Sequence, residues 1–310
     1  MLLSDKRREG SIGESQAVRV RSRLAPTPSG YLHLGNAFNF ILTWWLARYF
    51  RGTLRLRIDD VDAARVRQEY IDDIFYVLEW LGLEWDEGPF STQEHLKKYS
   101  LQLNLPRYEY ILKSLKQAGT IYACTCSRAQ IARGIQCLCA MRYNDRTPEV
   151  PFAWKMNTAS VKITIQDGWQ DALVVDLQAQ IPHFVVWRAD GLPAYQLFSV
   201  AEDAAHGITH IVRGNDLIPS TAAQLYLAEK AGMSSFAKVN FYHHPLLRAS
   251  DGKKLSKSLG SMALKTIRHS QKDPVWVYRK LAEWISVDYP IQKANDLLHI
   301  NPVNLQFKTS

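Results

Sequence analysis

The chain has 310 residues, 46% hydrophobic and 22% charged, which suffices for a normal core in two domains or in one large domain with an insertion, and excludes a disordered chain. Lys plus Arg number 38 against 30 Asp plus Glu, a net charge of +8, and this basic excess is compatible with a polyanionic partner. No stretch approaches the roughly 20 apolar residues of a membrane helix, and the charges of the first ten residues are not followed by an apolar segment, so we expect a cytoplasmic protein with no membrane partner and no secretory signal.

Residues 1–17 read as a loose polar tail. From Val18 to Ala25 apolar and polar residues alternate and then turn apolar, which suits a strand entering a core. A Pro/Gly-rich loop over 26–35 ends it. Residues 36–50 are rich in apolar and aromatic side chains and predict a helix with Asn36 near its N-cap; 53–58 predict a second strand. Strand, loop, helix and strand in this order imply a right-handed parallel crossover. Residues 67–81 and 99–118 predict amphipathic helices. The stretch 120–190 holds short strand-like runs such as 161–165 and reads as an insertion. Apolar α/β patterning resumes at Leu192 and runs through 208–213, with helices predicted over 219–232 and 274–285.

Two loops carry candidate chemistry. The first runs from Pro26 to Asn36, Pro-Thr-Pro-Ser-Gly-Tyr-Leu-His-Leu-Gly-Asn. It links a strand to a helix, where backbone N–H groups and the helix dipole attract phosphate. Gly30 and Gly35 let a nucleotide approach the backbone, and His33 can donate to a phosphate oxygen. The second is Lys253-Lys254-Leu255-Ser256-Lys257-Ser258, whose lysines could stabilise charge on a departing pyrophosphate. Read alone, each has a plainer explanation, an ordinary loop histidine and a solvated lysine loop. A third feature is the cysteine cluster. All four cysteines fall in Cys124-Thr125-Cys126 and Cys137-Leu138-Cys139, a set of thiolates suited to a closed tetrahedral zinc site, with four reduced structural thiols as the alternative.

The two loops resemble the HxGH and KMSKS elements of class I aminoacyl-tRNA synthetases. The residues between them resemble the glutamyl-tRNA synthetase branch. Arg23-Leu24-Ala25-Pro26-Thr27-Pro28-Ser29-Gly30, 56–62 (Leu-Arg-Ile-Asp-Asp-Val-Asp), 190–197 and 207–214 resemble segments of that branch, in order. The resemblance implies an α/β fold. Its Rossmann-like parallel sheet would be split into 18–119 and 191–264 by an acceptor-stem-type insertion at 120–190, with a helical stem-contact segment over 265–310. It implies an ATP site at Pro28, Ser29, Gly30, His33, Gly35, Asn36, Lys254, Ser256 and Lys257, with Mg2+, and catalytic roles for His33, Lys254 and Lys257.

The resemblance further implies a glutamate pocket of Arg23, Ala25, Thr27, Asp59, Tyr195 and Arg213. Guanidinium forks suit a side-chain carboxylate. Asp59 stands where the family has Glu, the partner of the substrate ammonium group, and Asn36 where many members carry a second His. The family's zinc, held in the insertion, begins with the same C-x-C but uses a different second half, so Tyr143 is an alternative ligand to Cys137. Only 52 residues follow Ser258 (310 − 258), too few for an anticodon-binding domain. This matches the subgroup that activates L-glutamate and attaches it to queuosine in the anticodon loop of tRNA(Asp). We expect a monomer of that kind. The rivals are a truncated glutamyl-tRNA synthetase acting on tRNA(Glu) and a catalytically silent tRNA-binding paralogue.

Overall fold

A computed structural model describes residues 19–143, 147–158, 160–247, 263–270 and 273–308. The Lys254, Ser256 and Lys257 loop lies outside the described residues.

Strand β1 (Arg21–Leu24) and strand β2 (Thr53–Leu56) pair in parallel, Arg21 opposite Thr53, with the helix Leu34–Tyr49 as the crossover. This is the expected unit, with adjusted bounds. That helix is apolar on nearly every face, and Phe38, Ile41, Leu42, Trp45 and Leu46 are at most 1% exposed, so it is a core helix enclosed on all sides. Its N-cap is His33, not Asn36. The Asn36 side-chain carbonyl accepts the His33 N–H at 3.0 Å from the third helical position, the back half of a capping arrangement. Strand β2 stops at Leu56 because the next residues turn inward to bury Arg57, Asp59 and Asp60. The helix Gln68–Leu81 matches its sequence pattern and ends on Gly82 in the left-handed region (φ 71°).

The helix expected over 99–118 is shorter, Leu105–Gln117. The turn before it is irregular because Asp60 takes its donors. The carboxylate accepts from Ser100 Oγ at 2.6 Å and from the Leu101 N–H at 2.7 Å, and His95 Nε2 lies 3.0 Å away. Pro106 then sits in the first turn of the helix, where no N–H is needed.

The segment 121–187 changes character. Strands β3 (Ile121–Cys124) and β4 (Ala153–Met156) are antiparallel. So are β5 (Lys162–Ile165) and β6 (Leu173–Asp176). Strand β7 (Val185–Trp187) closes a three-stranded sheet on β4. Parallel pairing resumes with β8 (His210–Gly214) and β9 (Asn240–His244), flanked by helices Tyr195–Ala205 and Ile218–Lys230. The two parallel pairs are tied together. The Thr209 N–H bonds the Arg21 carbonyl, and Ser22 Oγ donates to the His210 carbonyl, both at 2.8 Å.

Past residue 265 the sequence predicts a helical segment with one helix over 274–285. The structure places that helix at Val275–Trp284 and adds a helix Leu264–Ser270 and short 3-10 turns at Ala294–His299 and Pro302–Asn304. They pack into the core under the Leu34–Tyr49 helix. Leu297 is fully buried, and Trp45 Nε1 donates to the Ile300 carbonyl at 3.1 Å. No helix among the described residues is long and apolar enough to cross a membrane.

Candidate active site

The carboxyl ends of β1 and β8 and the start of the Leu34–Tyr49 helix frame a cleft of about 650 Å³. Ligands of open parallel α/β sheets bind at such strand ends. Of the residues expected to meet ATP, Ser29, Gly30, His33, Gly35 and Asn36 line it. Pro28 is buried behind the loop and does not. Gly35 has a steric reason for being glycine: a Cβ there would stand 3.1 Å from the His33 ring, which folds back over the first turn. The described chain beyond the lysine loop returns to this place. Ala263 bridges to His33, and the Leu264 N–H bonds the Leu32 carbonyl at 2.7 Å. The chain thus re-enters the described structure beside His33, at Ala263.

All six residues expected to meet the amino acid, Arg23, Ala25, Thr27, Asp59, Tyr195 and Arg213, line the same cleft. Their charges are arranged in a way the sequence does not reveal. Asp203, on the Tyr195–Ala205 helix and 1% exposed, accepts from Arg57 Nη1 at 2.6 Å and from Arg23 Nε at 3.2 Å. Burial works against ionisation of Asp203, but the two guanidiniums outweigh it and hold its pKa below the usual carboxylate value. Arg57 also forks onto Asp59, with Nε to Oδ1 at 2.6 Å and Nη2 to Oδ2 at 3.2 Å. Burial opposes the Arg57 charge, yet Asp59 and Asp203 together raise its pKa. Burial pushes Asp59 upward, against the pull of Arg57. Asp59, expected to face a substrate ammonium group, is already engaged by Arg57.

Arg213 differs. It is 3% exposed, and Nη1 donates to Gln224 Oε1 at 2.8 Å and to Thr221 Oγ1 at 3.2 Å. These acceptors are neutral. Its Nε and Nη2, the edge that would grip a carboxylate side-on, have no hydrogen-bond partner among the described residues. Burial lowers its pKa accordingly. Three buried guanidiniums (Arg23, Arg57, Arg213) meet two buried carboxylates (Asp59, Asp203) at the cleft, and the exposed Asp216 adds a third carboxylate on its rim. The neighbouring Glu202 is matched from its other side by Arg107 at 3.1 Å. Asp203 acts on Arg213 only through space, and a buried cation without a bonded counter-ion is costly; an anionic ligand on the free edge would reduce that cost. Arg57, Asp203 and Gln224 were missed as site residues. Arg57 stood in plain view in the Leu-Arg-Ile-Asp segment, whereas nothing local marks Asp203 or Gln224.

The cysteines form a second site. Their four sulfurs lie within 4.8 Å of one another, with Cys124 to Cys137 at 3.7 Å and Cys126 to Cys139 at 3.6 Å. A tetrahedral zinc with bonds of about 2.3 Å needs sulfurs about 3.8 Å apart. The four thiols fit that requirement, and Cys137 completes the set. Tyr143 packs beside the cluster.

Residues 19–283 match the family model of class I tRNA synthetases (E and Q), catalytic domain. A Glutamyl-Q tRNA(Asp) synthetase of Symbiobacterium thermophilum is 37% identical over 84% of this chain and 84% of its own length. One of Cupriavidus metallidurans is 36% identical over 79% of each. A Glutamate--tRNA ligase of Thermodesulfovibrio yellowstonii is 32% identical over 80% of this chain but 53% of its own length, so the chain spans about half of that relative. The crystal structure of a glutamate-tRNA synthetase from Elizabethkingia anophelis superposes with a TM-score of 0.76 at 20% identity, covering 93% of this chain and 67% of that one, a likeness of fold. The fold and cleft are those of a class I nucleotide-dependent ligase. More narrowly, the chain belongs to the aminoacyl-tRNA synthetases of the glutamate and glutamine type.

Proposed function

We propose that the chain activates L-glutamate with ATP and transfers it to queuosine in tRNA(Asp). The observation that carries the amino-acid assignment is Arg213, a buried guanidinium on the cleft wall with a free Nε and Nη2 edge among the described residues. The side-chain carboxylate of glutamate satisfies that edge; the amide of glutamine brings no charge to it. The α-carboxylate then attacks the α-phosphorus of ATP, forming glutamyl-adenylate and releasing pyrophosphate. His33 and the helix start at Leu34 would hold the phosphates. Lys254 and Lys257, with Ser256, would stabilise the leaving charge, and Mg2+ would accompany the nucleotide. Zinc on the four cysteines would be structural, since four protein ligands leave no open position. The RNA assignment is supported by relatives of matching length named for glutamyl-Q tRNA(Asp) synthesis.

The test has two stages. Glutamate-dependent ATP–pyrophosphate exchange without RNA is expected, with none above background for glutamine. Labelled glutamate should then pass to queuosine-containing tRNA(Asp), remain on the anticodon fragment after nuclease cleavage, and be absent from queuosine-free tRNA(Asp). Charging of tRNA(Glu) instead would make the chain a glutamyl-tRNA synthetase.

A further inference from the structure

Behind Arg213 runs a line of buried polar groups that the adenylation chemistry leaves unused. Thr221 Oγ1, which accepts from Arg213 Nη1, lies 2.8 Å from His243 Nε2. His243 Nδ1 lies 2.5 Å from Asp167 Oδ2. Thr221 is 0% exposed, and neither the His243 nor the Asp167 side chain has any exposure. Thr221 stands on the Ile218–Lys230 helix and His243 on β9, but Asp167 comes from the connection between β5 and β6, inside the antiparallel insertion. Asp167 is itself fixed: its carboxylate accepts the backbone N–H of Trp169 at 2.9 Å and of His243 at 3.2 Å, and the Gly168 N–H bonds the Phe241 carbonyl at 2.8 Å.

These groups order one another. A carboxylate only accepts, so His243 Nδ1 carries the hydrogen. The Thr221 hydroxyl has two acceptors in reach, Nε2 of the ring that carries its hydrogen on Nδ1, at 2.8 Å, and the Leu217 carbonyl, at 3.1 Å; the shorter contact draws its single hydrogen to His243. The Thr221 oxygen then offers a lone pair to Arg213 Nη1. Gln224 accepts from the same nitrogen, and the Phe241 ring lies 5.3 Å from the guanidinium carbon. Because the guanidinium is planar, fixing Nη1 sets the direction of the Nε and Nη2 edge. We propose that Asp167, His243 and Thr221 are positioning residues that aim this edge of Arg213, so that the insertion helps set the carboxylate selectivity of the cleft. The proposal deepens the reading of Arg213 as the substrate-carboxylate site and rests on it.

The test uses the full chain and three variants: Thr221→Val, which keeps the shape and removes the acceptor, Thr221→Ser, which restores it, and Asp167→Asn. In ATP–pyrophosphate exchange, Thr221→Val should raise the glutamate KM about tenfold, the scale of one charge-assisted hydrogen bond, and leave the ATP KM unchanged. Thr221→Ser should restore the wild-type value, and Asp167→Asn should shift the glutamate KM in the same direction by a smaller factor. A folded Thr221→Val enzyme with an unchanged glutamate KM, or with both KM values raised together, overturns the relay. A second measurement separates the relay from the substrate reading. In 15N spectra of arginine side chains, with the Arg213 signals identified by their loss in Arg213→Lys, wild-type Nη resonances should be resolved by slow rotation and should merge in Thr221→Val. If the wild type shows no glutamate-dependent exchange, the substrate reading fails, and this spectrum still decides the relay: merged Nη signals in the wild type refute it.

Discussion

The cleft and the cysteine cluster both gather groups that suit a charged ligand, and they are assembled in opposite ways. The four thiols come from one stretch, 124–139, and meet each other with few contacts to the main cores. The cleft joins residues 146 and 180 positions apart, as in the pairs of Arg57 and of Arg23 with Asp203. Mutual neutralisation of buried charges holds it together, so the cleft is part of what keeps the core folded. The cysteine cluster, if it holds the zinc its spacing suits, would draw its order from that metal. A local site can be lost alone; a site woven through the core cannot.

The largest effect tests that independence. Zinc bound to a small thiolate site contributes apparent binding free energies of about 10–16 kcal/mol, and that energy is local folding energy. The purified protein is expected to carry close to one zinc per chain. Replacing Cys124 and Cys137 by Ser should abolish it and remove hydrogen-exchange protection over 121–143. The Leu34–Tyr49 helix should keep its protection. Loss of protection in both places would show that the two regions fold as one unit.

Next comes the cleft's central acid. Asp203→Asn removes the common partner of Arg23 and Arg57, both at most 6% exposed. Breaking a buried pair from one side costs about 3–5 kcal/mol. Urea unfolding should show a loss on that scale with an unchanged denaturant dependence. A loss below about 1 kcal/mol, the worth of an exposed pair, would mean that water reaches this network.

The same contrast explains what could be read in the sequence. The parallel crossover was legible because its strands and core helix have simple periodicities. The cysteine cluster was legible because its spacing is local. The lining of the cleft was legible through segments that resemble one family. The partners were not. Asp203 is one acid on an amphipathic helix, and only the fold brings it against Arg57. The pairing of Asp59 with Arg57 was not legible because Arg57, two residues earlier, reads as part of a strand. The irregular turn before Leu105 escaped notice because the acid that shapes it, Asp60, lies 40 positions upstream of Ser100.

The third expectation concerns Arg213. Lysine keeps the charge but loses the flat two-donor edge. Arg213→Lys should lower kcat/KM for glutamate in ATP–pyrophosphate exchange by about a hundredfold, within the roughly 2–5 kcal/mol range for disrupting a buried charge pair. Unlike Asp203→Asn, it should cost little stability, since among the described residues Arg213 bonds no carboxylate, only Thr221 and Gln224. A large fall in stability with unchanged kinetics would reassign Arg213 to structure.

The smallest effect is a pH dependence that the cleft side carries. His244 is 6% exposed; its Nδ1–H donates to the Pro245 carbonyl at 2.9 Å, and Asn39 Nδ2 donates to its Nε2 at 3.1 Å. The Asn39 bond requires the neutral ring, whereas the Pro245 bond is kept on protonation and favours the charged form; burial outweighs it and pushes the pKa down from 6.5 to about 4. Between those values the unfolded chain binds a proton that the folded chain refuses. Stability is therefore fully present above pH 6.5 and declines as the pH falls toward 4. At pH 5.5 the expected loss from this ring is about 1 kcal/mol. Burial lowers His33, His183 and His210 in the same direction, so they add to the slope. His244→Gln should flatten the stability curve between pH 6.5 and 5 by the His244 share, read from urea midpoints at each pH. A slope unchanged by that substitution would place the acid sensitivity on the other three histidines.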